Sequence, residues 1–165
     1  MNTDLQQALD NTEVVYRNIV EIANKIVADA TGEVDKLIKE AMDNVDNMNN
    51  ESVRVLLMKL SLLSFNFSDI KEKSALKAEC AETLRKEAYA VAFNASAGSV
   101  AAKENQATIT ISKEIMVEAI YNMVASLFKT KSDETHRVVD ALKSVLMSRM
   151  AEAKLTATMY EGEGQ

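Results

Sequence analysis

Residues 53–74 read VRVLLMKLSLLSFNFSDIKEKS, and their apolar spacing decides the fold class. Val53, Leu56, Leu60, Leu63, Phe67, Ile70 and Ser74 follow one another in alternating steps of three and four, which is the seam of a heptad helix. Leu57, Leu62 and Phe65 add a second apolar flank, so this helix is expected in the core or in an oligomer interface. Upstream, DNVDNMNN (43–50) is the clearest linker, because Asn and Asp side chains compete with the helical backbone for hydrogen bonds. Asn50 or Ser52 can cap the helix that follows.

Before the linker the same pattern recurs. Leu5, Leu9, Thr12, Tyr16, Ile19, Ala23, Ile26 and Ala30 again step by four and three, with Val15, Ile22 and Val27 widening the face. The series resumes through Val34, Leu37 and Ala41 after one extra four-residue step near Gly32, which reads as a stutter or mild break. Beyond Ser74 the seam turns small, through Ala78, Ala81, Ala88, Ala92 and Ala95, so another helix can approach closely. Gly98 then suits the left-handed position past a helix end, and Ser99 the N-cap of the next helix. The run AGSVAAKE is therefore predicted to be a turn between antiparallel helices.

ATITIS (107–112) alternates with period two, but no partner strand is evident elsewhere. A β-branched helical stretch or a short irregular joint is the expectation. The last helical region spans roughly 112–158, with Met116, Ile120, Met123, Leu127, Val138, Leu142 and Val145 on one side. The polar run Lys129 to His136 is expected to interrupt it, with Ser132 capping a restart, and residues 159–165 are expected to fray.

Composition agrees with this reading. The 165 residues contain no proline and four glycines, while Ala, Leu, Met, Glu and Lys abound, as an all-α protein requires. No apolar run is long enough for a membrane helix, the polar N-terminus is unlike a signal peptide, and one cysteine, Cys80, excludes an intrachain disulfide. A cytoplasmic protein with no membrane partner is expected. The net charge of −6 is uneven, since residues 1–50 carry four basic and ten acidic side chains and the remainder is balanced. A globally acidic chain is poorly steered toward phosphate, but the balanced part can bind nucleic acid if its cations share a face.

Motifs for catalysis are scarce, and no enzymatic activity or cofactor is expected. His136 follows Asp133 by three residues, half of a bundle metal motif, but no second histidine completes it. Cys80 has no histidine placed to activate it, so a packed thiol is the simpler reading. Carboxylate pairs such as Glu114 and Glu118 are ordinary on solvated helix faces. The methionines Met116, Met123, Met147 and Met150 suit core filling more readily than an adaptable partner surface. Basic residues remain. Arg85 and Lys86 stand beside Tyr89 and Phe93, Lys103 follows the turn, and Lys143 and Arg149 mark the last helix. Aromatic rings interleaved with cations can stack single-stranded bases, or equally pack beneath the turn.

These residues also carry a resemblance. Tyr89, Phe93, Gly98, Ser99, Val100, Lys103, Glu104 and Ala107, followed by Leu142, Lys143, Ser144 and Arg149, resemble a pattern in small helical proteins of tailed-phage replication and recombination modules. The resemblance covers about residues 70–155. In size, helicity and late-helix pattern the chain is also similar, more weakly, to UvsY-type recombination mediators. The chain departs from the pattern in its acidity and in Lys143, where the family often has arginine. The resemblance implies a phage accessory protein in the host cytoplasm. It would be a homo-oligomer that handles single-stranded DNA, a recombinase or single-strand-binding protein.

The expected architecture is all-α: an elongated antiparallel helical bundle or coiled coil that oligomerises. Residues 1–46 form an acidic helix, 51–158 a helical hairpin or bundle, and 159–165 a tail. The nucleic-acid candidates are Arg85, Lys86, Tyr89, Phe93, Lys103, Lys143 and Arg149. The oligomer-interface candidates are Leu9, Tyr16, Ile19, Ile26, Leu56, Leu60, Leu63 and Phe67. The alternatives are a protein-interaction factor without DNA contact and a virion structural or assembly component.

Overall fold

A computed structural model describes the backbone of residues 3–162 and the side-chain environments of residues 10–156. Among the described residues there are four α-helices and one short 3-10 turn, and no strand. Helix α1 spans Thr3–Asn44, α2 Asn50–Ala95, α3 Val100–Thr110 and α4 Ser112–Gly162. The all-α expectation holds. α4 passes through Lys129–His136 without the expected interruption, and four residues of the anticipated tail belong to it. Residues 163–165 of that tail lie outside the described residues.

The joints follow from local chemistry. α1 gives way to a 3-10 turn over Val45–Asn47 within the Asn/Asp cluster. The cap of α2 is Asn49, whose Oδ1 accepts from the Ser52 amide at 2.8 Å, rather than the expected Asn50 or Ser52. At the other end of α2, Gly98 has φ 108°, a backbone that residues with a Cβ rarely adopt. Ser99 is the N-cap of α3, extended at ψ 163°, with its side chain accepting from the Ala102 amide. The ATITIS run is helical up to a one-residue joint at Ile111, where φ is −95° and ψ 21°. Thr108 and Thr110 donate their hydroxyls to the carbonyls of Glu104 and Gln106, a bonding pattern that bends helices and accounts for a break here.

The chain divides into two compact units. The first is built from residues 1–30 and 69–129, the second from residues 31–68 and 130–165.

In the first unit α2 and α4 run antiparallel, as the Arg85–Glu118 ion pair requires of a hairpin closed at residue 98. Its buried side chains are mostly small: Ala23, Val27, Ala78, Ala81, Ala92, Ala107 and Ile111, with Val124 and Phe128. In the second unit α1 and α4 run the same way, with Asp35 beside Lys131 and the turn after α1 beside Arg149. Here the core is larger and branched: Val34, Ile38, Val53, Leu56, Leu60, Phe67, Val139, Leu142 and Leu146.

The seams sit close to the spacing read from sequence, with a register shift. On α1 the buried row is Ala23, Val27, Thr31, Val34, Ile38 and Ala41, so the four-residue steps fall before Gly32 and displace Ile26 and Ala30 outward. Gly32 itself is helical. On α4 the buried row is Val124, Phe128, Ser132, Thr135, Val139, Leu142 and Leu146. The expected Ile120, Met123, Leu127, Val138 and Val145 flank it half-buried, and Met116 is exposed.

Candidate functional site

The last turns of α2 present Tyr89 and Phe93 one helical turn apart. Their rings stack with centroids 6.2 Å apart and planes inclined by 24°. Both are half-buried and rest on a small core of Ala92, Ala107 and Ile111, so they do pack beneath the turn. Lys103 comes back over them from the first turns of α3, its Nζ 5.8 Å from the Phe93 centroid. The tight Gly98–Ser99 turn makes this possible, because it starts α3 within reach of the ring. Aromatic surface and one cation, Lys103, thus meet at the bend.

The other cations at the bend are already engaged. Arg85 pairs with Glu118, and both are half-buried. Lys86 Nζ lies 2.6 Å from Glu82. The Lys86 hydrogen bond, and then its charge, hold the Glu82 carboxyl below its usual range. Exposed Glu87 and Glu104 stand on the same helices. The bend is therefore close to neutral, and Lys103 is its one cation that stands over an aromatic face.

Lys143 and Arg149 belong to the second unit and do different work. Lys143 pairs with Asp140 at 3.1 Å. Arg149 donates to the carbonyls of Met48 at 2.7 Å and Val45 at 2.8 Å, with a longer bond to Asp46 at 3.5 Å. Carbonyls at a helix end are short of backbone donors, and the guanidinium fork bonds Met48 and adds a second donor to the Val45 carbonyl, which already accepts from the Met48 amide at 3.3 Å. Arg149 therefore clasps the turn between α1 and α2.

The expected interface residues are corrected in part. Leu56, Leu60 and Phe67 are covered by the chain's own helices, at 3%, 0% and 2% exposure, and Leu63 is half-buried. A second copy cannot reach them without opening the core. Tyr16 and Ile26 are exposed, Ile19 is half-buried, and the Leu9 side chain lies outside the described residues. The opposite face of α2 carries an exposed row of Val55, Met58, Leu62 and Phe65, the last 82% exposed; Leu62 and Phe65 belong to the apolar flank expected from the spacing.

Sequence reasoning also missed a polar layer in the second unit. Thr31, Ser64, Ser132 and Thr135 are all buried there. Thr31 donates to Asp35, Asp35 pairs with Lys131 at 2.8 Å, and Lys131 pairs with Glu134 at 2.6 Å. Burial works to lower the Lys131 pKa, but its hydrogen bonds to Asp35 and Glu134 outweigh that and raise it. His136 donates from Nδ1 to the Ser132 carbonyl at 2.8 Å, and its Nε2 shares a hydrogen bond with Ser64 Oγ at 3.2 Å. A hydroxyl, an imidazole and an orienting carbonyl are the parts of a nucleophile pair. Ser64 is only 7% exposed, whereas the His136 residue is exposed. The layer leaves its buried hydroxyls bonded, and no side-chain N or O buried among the described residues lacks a partner.

Cys80 is exposed and unpaired, on a groove between α2 and α4 in the first unit. Among the described residues no three His, Cys, Asp or Glu side chains are grouped to hold a metal ion, and no helix is long and apolar enough to cross a membrane. Comparison with protein-family models, curated proteins and solved structures finds no match to this chain.

Proposed function

We propose that this protein is an accessory factor of single-stranded DNA metabolism, a helical homo-oligomer that touches the strand lightly and its coating or recombinase proteins more extensively. The observation that carries the reading is the Tyr89–Phe93 stack with Lys103 above it, on the segment that bears the phage-type pattern. Stacked rings give sequence-independent purchase on bases, and one lysine supplies a phosphate contact. The paired state of Arg85 and Lys86 argues for weak strand affinity, since two of the cations must give up carboxylates to bind phosphate. Exposed apolar side chains such as Leu62, Phe65, Leu76 and Leu84 favour protein contact as the larger part of the work.

Fluorescence anisotropy with a labelled oligonucleotide across a salt series tests this. Binding is expected at low salt. Lys103→Ala should shallow the logarithmic salt slope by about 0.7. Tyr89→Ala should weaken binding by about 1–3 kcal/mol at every salt concentration. If the native-like protein binds no oligonucleotide at low salt, the DNA contact is wrong. The second reading, a protein-interaction factor without DNA contact, then takes its place; the near-neutral bend is the observation that favours it.

A further inference from the structure

In the first unit α1 has a segment without cover. Every residue from Asp10 to Asn18 is exposed, including Val14, Val15 and Tyr16 at 54%, 44% and 57%. Thr12, Tyr16 and Ile19 keep the heptad spacing that leads on to buried Ala23, so the seam continues outward after its partners have stopped. A lone helix of this length is marginal in water and is normally held by packing of its apolar face. The same unit holds an open groove of about 320 Å³ between α2 and α4, lined by Ala81, Leu84, Val117 and Tyr121 and flanked by Lys77 and Lys113. Cys80 and Glu114 complete the lining. Leu84 is 61% exposed and Val117 45%, so the groove is apolar surface left in water.

Two features of the sequence fit these parts to each other. Residues 10–21 of α1 carry Asp10, Glu13 and Glu21 against Arg17 alone, while Lys77 and Lys113 have no ion-pair partner among the described residues. An acidic helix with an apolar seam matches an apolar cleft flanked by lysines. The chain's own segment does not fill the cleft, because α1 is one unbroken helix from Thr3 to Asn44 and has no hinge between Asp10 and the residues already packed.

We propose that residues 10–19 of α1 dock in the α2–α4 groove of a second copy, Tyr16 and Val15 against Leu84 and Val117, with the acidic side chains toward Lys77 and Lys113. The contact joins two different surfaces, one from each copy. This rests on the oligomeric part of the proposed function and is independent of the DNA contact.

Sedimentation of the full chain over a concentration series, with two single variants, tests it. Tyr16→Glu spoils the arm and Val117→Glu spoils the groove. Both residues are exposed, and circular dichroism should show unchanged helicity. Each variant alone should raise the dissociation constant at least about thirtyfold, the effect of losing a hot-spot contact. Mixed in equal amounts, they should form a dimer and nothing larger, because the intact arm of Val117→Glu finds the intact groove of Tyr16→Glu. An oligomer unaffected by Val117→Glu, or a mixture that stays monomeric, overturns the docking while leaving the oligomeric reading in place. A monomeric wild-type chain at high micromolar concentration overturns both.

Discussion

A methyl group added at Gly98 and one added at Gly32 should act in opposite directions. At Gly98 the backbone φ of 108° is strained for any residue with a Cβ, so Gly98→Val should cost about 1–2 kcal/mol. At Gly32 the helix is regular and a Cβ meets nothing within 4 Å. Gly32→Ala should therefore stabilise by about 0.4–1 kcal/mol, through lost freedom of the unfolded chain. Thermal melts read both, at about 2–4 °C per kcal/mol for a chain of this size. The Gly98–Ser99 turn was legible in sequence because only local backbone chemistry decides it. Arg149 was not. Its partners are carbonyls 101 to 104 residues away, and nothing in the Leu-Met-Ser-Arg context distinguishes a clasp from a phosphate ligand. Arg149→Met should cost about 1.5–3 kcal/mol in denaturant unfolding, as the loss of charge-assisted bonds to backbone carbonyls does. Arg149→Lys, which cannot reproduce the fork, should recover only part of it.

At the scale of helices, α2 and α4 show where periodicity succeeds and where it misleads. The Val53–Ser74 spacing located the buried face of α2, but it could not tell a chain's own neighbours from a second copy. That is why Leu56, Leu60 and Phe67 were assigned to the wrong kind of contact. On α4 the polar run 129–136 looked like an interruption because Ser132 and Thr135 stand where a greasy seam is expected. The helix tolerates them because small hydroxyls fit the seam and return a bond to the helix backbone, as Thr135 does to the Lys131 carbonyl at 2.8 Å. Truncating the apolar layers nearby should be expensive: Leu60→Ala, at a fully buried position, should cost about 2–5 kcal/mol. The ionic group beside the layer has a pH signature. Lys131 binds its proton more tightly folded than unfolded, so its stabilising contribution is complete below pH 10.5 and fades as pH rises through the higher folded value. Lys131→Met should remove that alkaline loss, leaving wild type and variant converging in stability at high pH. Denaturant midpoints measured from neutral to strongly alkaline solution would show it.

Taken over the whole chain, helical class was readable from composition alone, whereas the partition into units was not. Each unit draws on segments separated by tens of residues, and only tertiary contact reveals which stretch of a long helix keeps which company. A chain ended at Lys129 keeps every segment of the first unit and loses the α4 part of the second. Amide exchange over residues 31–68 should then become fast, exposing the backbone around Leu56 and Leu60, while α2 and α4 around Arg85–Glu118 keep their protection. Equal loss in both regions would show that the first unit depends on the second.

The Arg149 clasp has a consequence for synthesis. The carbonyls it satisfies belong to residues 45–48 and leave the ribosome well before their guanidinium is made. At about 5–20 residues per second, the interval is roughly 5–20 s. During that time the turn after α1 is closed only by its own backbone bonds, and the apolar seams on either side wait for α4. The segment already made is then acidic, with the ten acids of residues 1–50 against four basic side chains. At close approach, like charge on this segment opposes pairing of those seams between two copies before each can complete its own core.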